Sequence, residues 1–303
     1  MRYWVAVTDT DWYRFLSVRE DLDEVNFWQP SARRAAVHLP LGAPFLFKLH
    51  ASDGGWIVGG GFVARYDRVP VDLAWEAFEE KNGAFTRDEM IRRIQRYRRM
   101  VISPAHDEIG CWILRSPFFL SEDRWVKPPE DWAPNIVQGK GYDDSAGVGA
   151  RVWGDVNARY QASLPHLVTE RRYGTPTLVT PRLGQGEFRL AVTAAYSRRC
   201  AMTAERVLPA LEAAHIRPYS EAGEHRLDNG LLLRRDVHAL FDRGYITVRS
   251  DFSIEVSPKV HDEWENGRAY YSLSGRRLDL PADTAAWPNP AFLEWHAETR
   301  YLR

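Results

Sequence analysis

Between Leu211 and Asp242 the chain reads LEAAHIRPYSEAGEHRLDNGLLLRRDVHALFD, which sets three polar residues in order: His215, Asn229 and His238. An imidazole, with an unperturbed pKa near ~6.5, is suited to take a proton near neutral pH. His238 and Asp242 are four residues apart, so on a helix they share a face and can converge on one ion. An imidazole with a carboxylate suits Mg²⁺, Mn²⁺ or a later transition metal. Asn229 precedes Gly230, a strong turn pair, and taken alone is an ordinary turn residue. A proton acceptor beside a divalent cation is what phosphodiester hydrolysis requires: an activated water in line with the leaving oxygen, and positive charge on the phosphate.

The elements that must position these groups can be read around them. FRLAVTAAYSRRCAMT has helical spacing and leads to Cys200, and VLPALEAAHI reads as a strand carrying His215. RPYSEAGEHRLDNG is a long polar turn, LLL a short second strand, and RRDVHALFDRG a helix ended by Gly244. Strand, long turn, strand and helix make a ββα unit.

The first half of the chain has a different texture. YWVAV (3–7), APFLFKL (43–49), WIVGGGFVARY (56–66) and GCWIL (110–114) read as strands, and Gly59, Gly60 and Gly61 imply a bulge or a close backbone approach. VDLAWEAFEEKN and TRDEMIRRIQRYRRM are helical, the second with Thr86 as N-cap and Glu89 three residues on. Residues 148–162 resume helical spacing, and a stretch punctuated by Pro and Gly follows. The expected organisation is a first domain at 1–165, a linker at 166–185 and a second domain at 186–303, in the α+β class.

Composition bounds the function. With 45% hydrophobic and 27% charged residues the chain is a folded protein. It has no run of about 18 apolar residues to span a membrane. Asp9 and Asp11 interrupt any signal peptide, so a cytoplasmic location is expected. Two cysteines, Cys111 and Cys200, supply neither a disulfide framework nor a four-cysteine zinc site. The net charge of −1 is uneven: residues 171–250 hold 13 Arg and no Lys against 8 Asp and Glu, which fits a phosphate-facing surface as well as a solvated one.

On His215 in AAHIRP, Asn229 in DNG and His238 in DVHALFD, residues 187–250 resemble the HNH endonucleases, whose fold is a ββα-metal finger. The resemblance implies His215 as general base, Asn229 as the residue that pins the loop, and His238 as a metal ligand joined by Asp242. Many members carry Asp or His as a further ligand directly before the general base, where this chain has Ala214. Glu212, two residues earlier on the same strand face, has the reach to replace it. Some relatives brace the finger with CxxC pairs; here Thr203 follows Cys200 at that spacing, so no structural zinc is expected and Cys200 is a buried apolar residue. Leu231, Leu232, Leu233, Leu240 and Phe241 must then hold the finger. Arg217, Arg234 and Arg235 flank the motif as phosphate-binding candidates.

The order of elements over residues 1–140 resembles the PUA-like superfamily of EVE, YTH and ASCH domains, compact β-barrels with helices, several of which hold a modified base in an aromatic pocket. Trp28 and Trp75 are the expected stacking faces, Asn26 and Gln29 the expected hydrogen-bonding groups. A nuclease joined to such a reader resembles a modification-dependent restriction enzyme acting on double-stranded DNA with methylated cytosine. Cutting both strands takes two active sites, hence a homodimer or transient pairing. Two other readings stay open on the residues alone: a binding protein for modified nucleic acid with weak nuclease activity, and an RNA-directed nuclease.

Overall fold

The computed structural model describes residues 1–19, 22–32, 39–163, 184–221 and 223–303. The chain divides into two compact units, Met1–Val179 and Thr180–Arg303. Of the linker expected at 166–185, residues 166–183 lie outside the described residues.

The first unit is built on strands β1 (Arg2–Thr8), β2 (Glu24–Gln29), β3 (Pro44–Leu49), β4 (Ile57–Pro70), β5 (Glu108–Phe119) and β6 (Gly139–Asp143). Its helices are α1 (Thr10–Ser17), α2 (Val71–Phe78), α3 (Arg87–Arg98) and α4 (Gly147–Ser163). The six strands form one sheet in the order β2-β5-β4-β3-β1-β6. β1 and β3 are parallel and the other pairs antiparallel. Both faces are covered. One carries the aromatic cluster of Trp12 and Tyr13 from α1 with Phe27, Phe45, Phe47 and Trp112. The other packs Tyr3, Val5, Leu46 and Phe118 against Val152 and Val156 of α4.

The β-barrel expected for this unit is not closed. Among the described residues β2 and β6 each have a single strand neighbour, so the sheet they form has two edges. Closure requires the outer strands to pair along a ladder; these are six and five residues long and stand at opposite ends of the order. The glycine run does what its composition implied. A Cβ at Gly59 would lie 2.2 Å from the Phe118 carbonyl oxygen, and the β4–β5 register shifts between Gly60 and Phe62.

α3 starts where its cap predicts. The Thr86 hydroxyl accepts the Glu89 N–H at 3.2 Å and the Glu89 carboxylate accepts the Phe85 N–H at 3.0 Å. Met90 and Ile94 are its buried residues. Its arginines divide. Arg87 pairs with Asp72, Arg93 with Glu89 and the Gly83 carbonyl, and Arg98 with Asp107 and the Pro30 carbonyl. Arg92, Arg96 and Arg99 are exposed.

The second unit contains α5 (Gln185–Ala195), β7 (Leu211–His215), β8 (Gly230–Arg234), α6 (Arg235–Asp242), β9 (Ile246–Val248), β10 (Ile254–Val256), α7 (Lys259–Trp264), α8 (Arg268–Tyr271) and α9 (Pro290–Thr299). β7 and β8 pair antiparallel from Leu211↔Arg234 to His215↔Gly230, and α6 follows directly, which is the expected ββα unit. Leu231, Leu232, Leu233 and Phe241 are fully buried in one cluster with Phe188 and Val192 of α5, and Leu240 packs half-buried against it. Cys200 is buried in that cluster, its sulfur accepting the N–H groups of Thr203 and Arg234. No described helix is long and apolar enough to cross a membrane.

Asn82, at the end of the turn after α2, is a fully buried hub. Its Nδ2 donates to the carbonyls of Ala74 and Glu79, its Oδ1 accepts from Asn26, and its carbonyl accepts the indole N–H groups of Trp12 and Trp28. Removing the carboxamide takes these bonds from the buried Ala74 carbonyl, the part-buried Glu79 carbonyl and the buried Asn26 amide. Asn82→Ala is expected to lower stability by about 2–3 kcal/mol, measured by urea unfolding of the full chain followed by Trp fluorescence.

Candidate active site

β7 delivers His215 at its last residue, and β8 with α6 brings His238 back beside it. The strand pairing is short, so the turn between must be held by other means. Asn229 does this from a fully buried position. Its Oδ1 accepts the Arg217 N–H at 2.9 Å, and its Nδ2 donates to the carbonyls of Arg217 and Glu224, both at 3.0 Å. Three backbone groups of the turn that would otherwise compete for water are thereby paired. Gly230 follows because nothing larger fits: a Cβ there would lie 2.5 Å from Val192 and 3.0 Å from Phe188.

A cleft of about 540 Å³ is lined by Glu212, His215, His238 and Asp242, with Phe188 and Arg189 of α5, His296 of α9 and Arg300 just past its end. His215 stacks on Phe188 with ring centroids 4.0 Å apart and planes 12° apart. Its Nε2 lies 2.9 Å from Nδ1 of His225, a residue of the long turn. Burial, then the neighbouring imidazoles of His225 and His238, push the His215 pKa down to about 4, so the ring is neutral and holds a lone pair at neutral pH.

His238 is shifted in the opposite direction in the same cleft. Its Nδ1 is 2.8 Å from Glu212 Oε2 and its Nε2 3.2 Å from Asp242 Oδ2. Burial opposes the charge, but the two carboxylates outweigh it and raise the pKa. The arrangement also tests the donor set. Among the described residues no three His, Cys, Asp or Glu side chains converge as a ready-made metal cage. His238 Nε2 and Asp242 do converge, so a cation replacing the shared proton would be held by one nitrogen and one carboxylate. That set fits an ion that keeps several waters, as Mg²⁺ does. Glu212 meets the ring from its other nitrogen, the position from which a carboxylate orients a ligating imidazole. It also pairs with Arg235 at 3.1 Å.

The arginines named from sequence do not line this cleft. Arg234 is bound bidentately by Asp236 at 2.6 and 2.8 Å, which fixes the entry to α6. Arg217 lies over the Trp295 ring, 5.3 Å from its centroid, and Arg300 approaches the same ring at 5.9 Å. The cations in the cleft wall are Arg189 and Arg300. Arg300, at the end of α9, is brought in by tertiary packing and also pairs with Glu221. His225, Phe188 and Arg189 were equally absent from the sequence reading; only their nearness to the motif in the chain pointed to them.

The first unit has a cleft of its own, about 1000 Å³, walled by Trp4, Trp12, Trp28, Tyr97 and Trp112, with Gln29, Asp9 and His50 among its polar groups. Trp28 and Gln29 line this cleft. Asn26 is fully buried against Asn82 and Cys111, and Trp75 sits on α2; neither lines the cleft. Asp9 accepts hydrogen bonds from the Tyr97 hydroxyl at 2.5 Å and from His50 at 3.1 Å.

Residues 200–249 match the family model described as HNH endonuclease. No curated protein matches the chain. Among solved structures, a chain described as "Modification dependent TagI restriction endonuclease" aligns with 13% identity over 96% of this chain and 79% of that one, at a TM-score of 0.30, a likeness that carries no argument.

The charge states have a consequence for stability. His215 and His296 are both held near 4 against 6.5 when unfolded, His296 by burial between Thr247, the Phe241 ring and the Phe241 carbonyl. Between those values the unfolded chain binds more protons, so stability is full above about pH 6.5 and is lost as pH falls toward 4. His238, raised, contributes its full share throughout that window. Thermal unfolding of the second unit's transition is expected to drop by several degrees from pH 7 to pH 5, and less steeply in His215→Asn.

Proposed function

We propose that this chain, which carries an HNH endonuclease finger at residues 200–249, is a metal-dependent endonuclease that cuts double-stranded DNA bearing methylated cytosine, as a restriction enzyme of the cytoplasm. The observation that carries the reading is the pairing, in one cleft, of a neutral His215 with the His238–Asp242 pair.

His215 takes the proton of the attacking water: burial holds its pKa down in the free chain, and a phosphate anion in the cleft favours the imidazolium and raises the ring's affinity for a proton. Arg189 and Arg300 hold the phosphate oxygens from the cleft wall. Glu212 fixes the plane and tautomer of His238 through Nδ1. A divalent cation, Mg²⁺ or Mn²⁺, held by His238 and Asp242, would supply positive charge to the phosphate and the departing 3′ oxygen. Phe188 keeps the His215 ring in one plane.

Phosphate contacts position but do not specify, so target choice falls to the first unit, read as a PUA-like base reader. Its aromatic cleft is large enough for a nucleobase taken out of the stack, with Trp28 offering a face and Gln29 an amide edge. Two copies, paired on DNA, cut both strands.

The test is cleavage of methylated and unmethylated plasmid with Mg²⁺ or Mn²⁺. His215→Ala is expected to lower the rate on the order of 10²–10⁴-fold without loss of DNA binding. Trp28→Ala is expected to leave the finger intact but to weaken the preference for methylated DNA by roughly 5- to 100-fold. Equal cutting by His215→Ala and the parent would refute the assignment of the base.

A further inference from the structure

We infer that His225 is a positioning residue for the reaction: it holds His215 in the tautomer that leaves Nδ1 free to accept a proton. The inference rests on the reading of His215 as general base.

A histidine base works from one nitrogen only, and which one is decided by what the other nitrogen bonds. In this cleft His215 Nε2 is committed, 2.9 Å from His225 Nδ1. Its Nδ1 has no protein partner among the described residues, while the ring lines the cleft. If Nε2 carries the hydrogen and donates to His225 Nδ1, the lone pair sits on Nδ1, where water can reach it. In the reverse arrangement His225 donates, and His215 presents an N–H to the cleft and cannot act as a base there. The first arrangement also serves the next step. When water gives its proton to His215 Nδ1, the O–H bond breaks, its electron pair forms the new bond to phosphorus, the P–O3′ bond breaks with its pair leaving on the 3′ oxygen, which takes a proton from solvent, and the ring becomes an imidazolium. Its Nε2–H then stays hydrogen-bonded to His225 Nδ1, which stabilises the cation.

The fold spends contacts on this arrangement. His225 immediately follows Glu224, whose carbonyl is one of the three backbone groups bound by the buried Asn229 carboxamide. Asn229 thus fixes Glu224, Glu224 carries His225, and His225 bonds His215. Phe188 closes the other side, stacked on His215 at 4.0 Å and tilted against His225 at 5.7 Å. Neither contact is needed to pair β7 with β8, which end at His215 and begin at Gly230.

The test compares the full chain with His225→Ala, His225→Asn and His215→Ala in single-turnover cleavage across pH, with Mn²⁺ affinity and histidine ¹⁵N NMR as readouts independent of turnover. His225→Ala is expected to lower kcat on the order of 10- to 100-fold with KM and Mn²⁺ affinity unchanged. Its His215 signal should shift from Nε2–H to a mixture of tautomers. His225→Asn, whose Oδ1 can accept the same hydrogen bond, is expected to recover part of the rate. Parent-like cutting by His225→Ala beside a dead His215→Ala overturns the inference and leaves the general base standing. Equal losses in the Ala and Asn variants with an unchanged His215 tautomer also overturn it. Cutting by His215→Ala overturns the reading beneath it and the inference together.

Discussion

Between Ile216 and Asn229 the chain leaves one short strand and must re-enter its partner in register, across a turn too long to be held by the ladder. The Asn229 carboxamide resolves this by binding both backbone groups of Arg217 and the carbonyl of Glu224 from a position with no solvent access. Buried, fully paired amides of this kind are costly to disturb and geometrically demanding. Everything chemical in the second unit hangs on that knot: the exit of β7 that aims His215, the turn that supplies His225, and the entry of β8 that leads to α6 and His238.

The cleft then separates two imidazoles that begin as chemical equals. Burial against Phe188 and the nearness of other imidazoles keep His215 neutral. Two carboxylates, one on each ring nitrogen, favour the charged form of His238 and raise its pKa. Environments that push paired groups in opposite directions give them different duties. Here the neutral ring can accept a proton, and the other sits between two carboxylates where a cation could be held.

Legibility from sequence followed the range of the interactions. The ββα unit, the Thr86 cap of α3, the glycine-driven distortion of β4 and the buried Cys200 are set by residues close in the chain, and their patterns are visible in it. Asn229 was read as the residue pinning the loop, and its three backbone bonds give that reading its physical content. What required the third dimension was missed. Arg300 reaches the cleft because α9 packs near β9, and no spacing announces it. Asn26 alternates correctly for a pocket residue but is claimed by Asn82, fifty-six positions away. The closed barrel was inferred from the order of elements, which says nothing of whether the outer strands meet.

The order of strands in the first unit bears on how the chain comes into being. β1, at residues 2–8, is flanked by β3 and by β6 at 139–143, so the sheet cannot be completed until its last strand has been made. The finger's strands and helix all lie within residues 211–242 and need only their own neighbourhood. Local contacts form faster than distant ones because less chain entropy is lost in bringing them together. On the ribosome, the slow sheet is therefore given its head start by chain order, and the quick finger appears only after the partner unit has had time to assemble.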